Sequence, residues 1–278
     1  MLTKNANTDG LPFLKMHGAG NDFVIIDARA ADTEMTDALA RAIGARHFGV
    51  GYDQLAVLTQ SDGADVDIMF WNSDGSIAGA CGNASRCIAR LVMEETGQDK
   101  IVLRTERGEL PAQKTGDLIS VNMGQPVFDW TDIPLSEDVD IDVLPIDGAP
   151  MAVGMGNPHC VFFVDDVDTI DLSTRGAAIE HHSLYPQRTN VEFVEVISKT
   201  NLRQRTWERG AGETLACGSG ACAVAVAAHR KGLTGRKVSI ELKGGTLDID
   251  WRDDGVWMTG PTELVFEGRL SPEFLARV

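Results

Sequence analysis

No run of apolar residues in this chain approaches the eighteen or so that a transmembrane helix needs, so no membrane span is expected. Basic residues are scarce: 25 Lys and Arg stand against 41 Asp and Glu, a formal net charge of -16. That balance opposes docking on a phosphate backbone, and no nucleic-acid partner is expected. The polar stretch Met1–Gly10 lacks an apolar core region, which argues against a secretory signal. Low-complexity tracts are missing. No Cys-x-x-Cys pair occurs, and the five cysteines, at 81, 87, 160, 217 and 222, are an odd number in a long chain. Neither a disulfide framework nor a structural zinc site fits that spacing, so no metal is expected. A reducing, cytoplasmic compartment is the expectation.

What remains is an ordinary globular composition, 43% apolar and 24% charged, in 278 residues, enough for about two domains. Phe23–Asp27 reads as a short apolar strand. Asp65–Trp71 alternates in part, and Asn190–Val196, Gln204–Glu208 and Leu247–Trp251 alternate cleanly, as half-buried strands do. Thr36–Phe48 reads as a helix with Leu39, Ala42 and Ile43 on one face, stopped by Gly49 and Gly51. Two further helices follow Cys81 and Cys217. They carry Ile88, Leu91 and Val92, and Ala221, Val224, Ala225 and Ala228; their few charges predict a wrapping of sheet. The order strand, glycine turn, cysteine, buried helix and more strands thus occurs twice. The proline- and aspartate-rich stretch Pro126–Pro150 marks a boundary, or a loop on the second domain.

The two cysteine turns are Ala80-Cys81-Gly82-Asn83 and Ala216-Cys217-Gly218-Ser219. A thiol at a helix N-terminus has its pKa lowered from about 8.5, and the open N–H groups there hold an anion. Gly82 and Asn83 on one side, and Gly218 and Ser219 on the other, would point amides at a carboxylate. Two facing thiols suit proton abstraction from a carbon on one side and proton return on the other. A lone free cysteine is more often a small buried hydrophobe; the matched contexts argue against that for Cys81 and Cys217, whereas Cys87 and Cys222 read as core.

Several neighbours suit the same chemistry. His17 lies in a glycine-containing loop before a strand, and Asn72 opens a turn after one. His159 follows the loop Gly154–Pro158. Glu208-Arg209-Gly210 ends a strand, where a carboxylate and a guanidinium can grip an ammonium and a carboxylate. The alternatives are a turn residue at Asn72, a structural histidine at 159 and a surface ion pair at 208–209.

The segments His17–Phe23, Asn72–Cys87, Gly156–His159, Arg188–Asn190 and Glu208–Gly220, spread over most of the chain, together resemble the signatures of the diaminopimelate epimerase family. The resemblance implies an α/β (α+β) fold of two pseudo-symmetric domains, each a barrel-like, mostly antiparallel sheet wrapped around a central helix. The domains are then residues 1–125 and 126–263, with the tail 264–278 packing back on the first and the site in the cleft between them. It implies interconversion of L,L- and meso-diaminopimelate without cofactor or metal, by a cytoplasmic homodimer. By position, Cys81 and Cys217 match the acid–base pair, and Gly82, Asn83, Gly218 and Ser219 the amides at the reacting carboxylate. Asn21, Gln54, Asn72, Asn157, Asn190 and Arg209 match substrate-binding groups; His159 and Glu208 match residues that support catalysis. The chain departs from the family pattern at Ser73, Ile77, Ala80, Ala84 and Ser85, and Ala84 stands where a glycine is usual.

Three rivals stay open on sequence. A proline or hydroxyproline racemase shares the fold, but the polar groups of the distal pocket would be wasted on a proline ring. A dithiol redox protein would use the cysteines as a disulfide. An amino-acid-binding protein would need the amides and not the thiols.

Overall fold

The computed structural model describes residues 10–30 and 34–278; the polar stretch up to Asp9 lies outside them. The chain divides into two units, residues 1–121 with 261–278, and residues 122–260. The changeover lies at Asn122, a few residues before the proline-rich stretch in which the sequence suggested a boundary.

In the first unit, β1 (Leu11–Gly18) and β2 (Asn21–Asp27) form an antiparallel hairpin. Its two loop residues, Ala19 and Gly20, have φ of 52° and 82°, the left-handed pair that matches strand twist. α1 (Asp37–Gly44) follows, capped by the Thr36 hydroxyl on the Leu39 N–H at 3.1 Å. It is shorter than the helix read over 36–48. After Gly44 the chain doubles back, with the Val50 and Gly51 N–H groups on the Ile43 carbonyl at 2.9 Å, and Phe48 is left in solvent. β3 (Gln54–Thr59) runs parallel to β2, and β4 (Val66–Asn72) antiparallel to β3. The two-residue β5 (Ile77–Ala78) leads to α2 (Gly82–Thr96), ended by Gly97 at φ 73°. β6 (Lys100–Thr105) lies parallel to β4, and β7 (Gly108–Thr115) and β8 (Leu118–Asn122) continue antiparallel. α2 packs on β1, β2, β6 and β7, so strands from both ends of the sheet cover it. Ala84, Cys87, Ile88, Ala89 and Val92 are buried there.

The second unit repeats this order. β9 (Met151–Gly154) pairs antiparallel with β10 (Pro158–Val164). α3 (Leu172–Glu180) precedes β11 (Asn190–Val196), which lies parallel to β10. β12 (Asn201–Glu208) is antiparallel to β11; the stub β13 (Gly212–Glu213) leads to α4 (Gly218–Arg230). β14 (Lys237–Leu242) is parallel to β12, and β15 (Gly245–Arg252) and β16 (Gly255–Gly260) close the series antiparallel. α4 packs on β9, β10, β11, β14, β15 and β16, and everything from Gly220 to Ala228 is buried. The stretch 126–150 belongs to this unit: Ile133, Leu135 and Leu144 enter a core with Phe162, Leu172, Ile179 and Phe193.

The chain then returns to the first unit, where β17 (Glu263–Leu270) pairs antiparallel with β1, followed by the short α5 (Pro272–Leu275). Each unit is thus a mostly antiparallel sheet covering one helix, with two parallel pairs where α1 or α2, and α3 or α4, provide the crossover. One expectation about β11 fails. Its alternation predicted an exposed face, yet residues 190–194 are all buried. Val191 and Phe193 face the core that holds α3, and α4 packs on the same strand, so neither face meets water.

Candidate active site

Strand register decides which side chains gather at one end of the first sheet. Phe23 lies beside Gln54 in the parallel pair, and Gln54 beside Asn72 in the antiparallel one. The starts of β2 and β3, the end of β4 and the start of α2 therefore meet, bringing Asn21, Gln54, Asn72 and Cys81 together. Cys81 is the N-cap of α2, with extended backbone (φ -145°, ψ 106°), and is half-buried. Its carbonyl closes the first turn, accepting from the Ser85 N–H at 2.9 Å and the Ser85 hydroxyl at 2.8 Å. Gly82 and Asn83 open the first turn of the helix, the end whose N–H groups suit an anion.

Asn21 ties this end together. Its Oδ1 lies 4.0 Å from Cys81 Sγ and accepts from Asn83 Nδ2 at 3.2 Å; its Nδ2 donates to Asp53 at 2.8 Å. Asn83 Oδ1 in turn accepts from buried Arg86 at 2.9 Å. Arg46 joins Asp53 to Asp22. Gln54 Nε2 donates to Asn72 Oδ1 at 3.4 Å, and Asn72 Nδ2 to Ser76 at 3.0 Å. His17 turns away, to Glu263 on β17 at 3.5 Å.

The second unit has the equivalent end. Parallel register sets His159 beside Asn190, and β12 ends nearby at Glu208. Cys217 is the N-cap of α4 (φ -110°, ψ 109°) and is buried. Its sulfur accepts from the Gly220 N–H at 3.4 Å, and Ser219 Oγ is 3.7 Å away. The sequence predicted a thiol acidified by its helix, and here the outcome differs. Burial first, then the carboxylates of Glu208 and Glu192, push Cys217 well above the ordinary thiol range, outweighing the Gly220 N–H and Ser219. A raised value favours the protonated thiol, the proton-donating form. Glu208 accepts from Thr214 at 2.5 Å, and burial, the largest influence, raises its carboxyl above the usual range.

His159 is fully buried with both ring nitrogens engaged: Nδ1 with Glu192 Oε1 at 2.7 Å and Nε2 with Asn157 Oδ1 at 2.9 Å. Asn190 is buried with both ends of its amide used, Nδ2 donating to the Pro158 carbonyl at 3.0 Å and Oδ1 accepting from the Arg209 N–H at 2.9 Å. The Arg209 side chain is exposed and reaches the Gln187 carbonyl at 3.3 Å. Glu192 is the residue the sequence reading missed; alternation assigned it to solvent. The available signal was an acidic residue two positions after Asn190 in an otherwise apolar strand. A cavity of about 280 Å³ in this unit, lined by Asp168, Arg203, Glu213 and Glu241 among others, holds none of these groups.

Two repeats, each a mostly antiparallel sheet covering one helix, define a class of tandem α/β fold. Solved structures share it. The phenazine biosynthesis protein of the PhzF family from Bacillus anthracis matches with a TM-score of 0.70 at 14% identity, covering 95% of this chain and 99% of that one. A probable proline racemase from Agrobacterium radiobacter K84 matches with a TM-score of 0.70 at 13% identity, covering 94% and 93%. Sequence narrows the class. The diaminopimelate epimerase family model matches residues 13–128 and 151–265. The diaminopimelate epimerase of Acidiphilium cryptum (strain JF-5) is 50% identical over 272 residues, 95% of this chain and 98% of that one. The chain belongs to the diaminopimelate epimerase family, and it is an isomerase.

Proposed function

We propose that this protein interconverts L,L- and meso-diaminopimelate by two-base proton transfer, with Cys81 and Cys217 as the bases. One observation carries the reading: the same topology twice places a cysteine at the N-cap of a sheet-covered helix, in a chain of this family. The α-hydrogen of an amino acid is a very weak acid, so charge developing on the α-carboxylate must be stabilised. The first-turn N–H groups of Gly82, Asn83, Gly218 and Ser219 are preorganised donors for it. Glu208 receives the ammonium group. Gln54, Asn72, Asn157 and Arg209 hold the distal zwitterion, with Asn21 orienting Asn83 and Asn190 fixing the main chain of Arg209. Each cysteine is base for one isomer and acid for the other, and in the reverse direction the roles exchange.

The reaction needs reduced thiols, in keeping with a cytoplasmic setting. A homodimer is part of the same reading; Leu264 and Phe266, exposed two residues apart on β17, supply apolar surface for it. Sedimentation at micromolar concentration tests that part.

The central test is α-hydrogen exchange in D₂O, run on both isomers with wild type, Cys81→Ser and Cys217→Ser. Serine is a far poorer base at neutral pH, and each variant is expected to lose about 10²–10⁴-fold in epimerisation. One-sided exchange can survive in a single variant. Wild-type turnover by either serine variant contradicts the two-base reading, and equal turnover of a monocarboxylic amino acid contradicts the distal pocket.

A further inference from the structure

Glu192 and His159 sit behind Cys217 in a geometry that fixes a proton count. His159 Nε2 faces the side-chain amide oxygen Oδ1 of Asn157 at 2.9 Å, so Nε2 is the donor there. Its other nitrogen, Nδ1, lies 2.7 Å from Glu192 Oε1. A hydrogen bond at that second contact requires a second proton, shared between ring and carboxyl. The pair is then net neutral whichever partner holds it, imidazolium with carboxylate or imidazole with carboxylic acid. Burial favours that count: both side chains are fully enclosed, and among the described residues Glu192 Oε2 meets no hydrogen-bond donor. An isolated ionised carboxylate at such a place would be costly.

The pair is also close to the thiol. A Cβ placed on Gly220 would lie 2.7 Å from Glu192 Oε1 and 3.2 Å from Cys217 Sγ, so carboxyl and sulfur press on the same point. The titratable groups around this sulfur within the second unit are Glu208 of β12, Glu192 of β11 and, behind Glu192, His159 of β10.

We propose that Glu192 is a positioning residue for this reaction: with His159 it forms a net-neutral, proton-sharing pair whose carboxyl end lies beside Cys217 and holds that sulfur as the proton donor. The inference rests on the two-base reading above. It gives His159 a role exerted through Glu192, and it explains a buried acid in an apolar strand. The carboxyl is the end of the pair that faces Cys217, so its negative charge or lone pairs oppose charge on the sulfur.

The test is Glu192→Gln, which keeps the shape and removes the acid. Thiolate is the form that alkylates. Iodoacetamide labelling of Cys217, followed on its own peptide from pH 7 to 10, is expected to run about tenfold faster at a given pH in the variant, the equivalent of one pKa unit. The variant's kcat is expected to fall about tenfold or more with KM nearly unchanged, since the distal contacts are intact. Wild-type labelling together with wild-type kcat overturns the proposal. If Glu192→Gln does not fold, nitrogen NMR of histidine-labelled wild type decides. Protonated Nε2 with a hydrogen-bonded Nδ1 supports the pair, and a bare Nε2 overturns it. A wild type that labels and titrates as expected but does not epimerise diaminopimelate sinks the functional reading alone.

Discussion

Gly220 is a tight point beside Cys217. Its missing side chain is what lets the Glu192 carboxyl, the Gln204 amide and the Cys217 sulfur crowd one spot; a Cβ there would lie 2.7, 3.2 and 3.2 Å from them. Two of those neighbours belong to the proposed chemistry, so the strain of a methyl group cannot be relieved without moving it. Gly220→Ala is expected to destabilise by about 1–3 kcal/mol, the usual cost of overpacking a core, and to lower kcat more than KM. Gly235→Ala is the matched control: among the described residues nothing lies within 4 Å of its Cβ position, and its stability and activity should stay at wild-type levels. Equal behaviour of the two variants in urea unfolding and in turnover would remove Gly220 from the site. The sequence pointed instead at Gly82 and Gly218, because they follow the cysteines. A glycine two residues further on, inside the helix, carries no local sign that a strand's carboxyl approaches it.

At the scale of elements, the repeated cysteine turns made α2 and α4 legible, since small and apolar side chains on every face demand a covering sheet. The strands near 23–27, 66–71, 190–196, 204–208 and 247–251 were legible from apolar runs and alternation. What alternation could not convey is a second covering layer. β11 reads as half-exposed, and α3 and α4 close both its sides, so Glu192 and the amide of Asn190 went inward unseen. Nor could it show that α1 stops at Gly44, where the chain returns to hydrogen-bond Ile43. Two substitutions test the helices. Ala84 occupies the third position of α2 and is fully buried. Restoring the family's glycine, Ala84→Gly, adds unfolded-chain entropy and removes a buried methyl. It is expected to cost about 1–2 kcal/mol with no gain in kcat; a stability gain in urea would show that this Cβ strains the turn. On α3, Gly176 lets β12 approach: a Cβ would lie 2.6 Å from Trp207 Cβ and Cγ, and the Trp207 indole N–H reaches Glu180 at 2.7 Å. Gly176→Ala is expected to lose about 1–3 kcal/mol and to redden or quench the Trp207 emission. An unchanged urea midpoint would mean that α3 docks loosely.

For the molecule as a whole, the common feature of the two helix cores is the buried thiol, and it sets how stability responds to pH. Burial is the leading cause in each case: it pushes Cys87 up to about 12, and Cys160 and Cys217 above the ordinary thiol range. Asp27 acts in the opposite sense. For Asp27 the opposing effect of burial is outweighed by its Arg29 hydrogen bonds, and its carboxyl falls below the usual range. Stability from Asp27 is therefore present above the unfolded carboxyl value and is lost as pH falls through the folded one. A raised thiol works at the other end. Above about pH 8.5 the unfolded chain releases these protons while the folded chain keeps them. The folded state then binds more protons, and linkage requires stability to fall as pH rises. As long as the pH stays below the folded values, the loss depends only on the unfolded one. It amounts to about 1.4 kcal/mol per thiol one unit above it, and about 4 kcal/mol for the three. Urea unfolding under reductant from pH 7 to 10 is therefore expected to show a steep alkaline decline, with Cys87→Ala and Cys160→Ala each removing about a third of the slope. A flat profile across that range, or a slope untouched by both substitutions, would mean that the interior admits the thiolates or that other groups govern the alkaline limit.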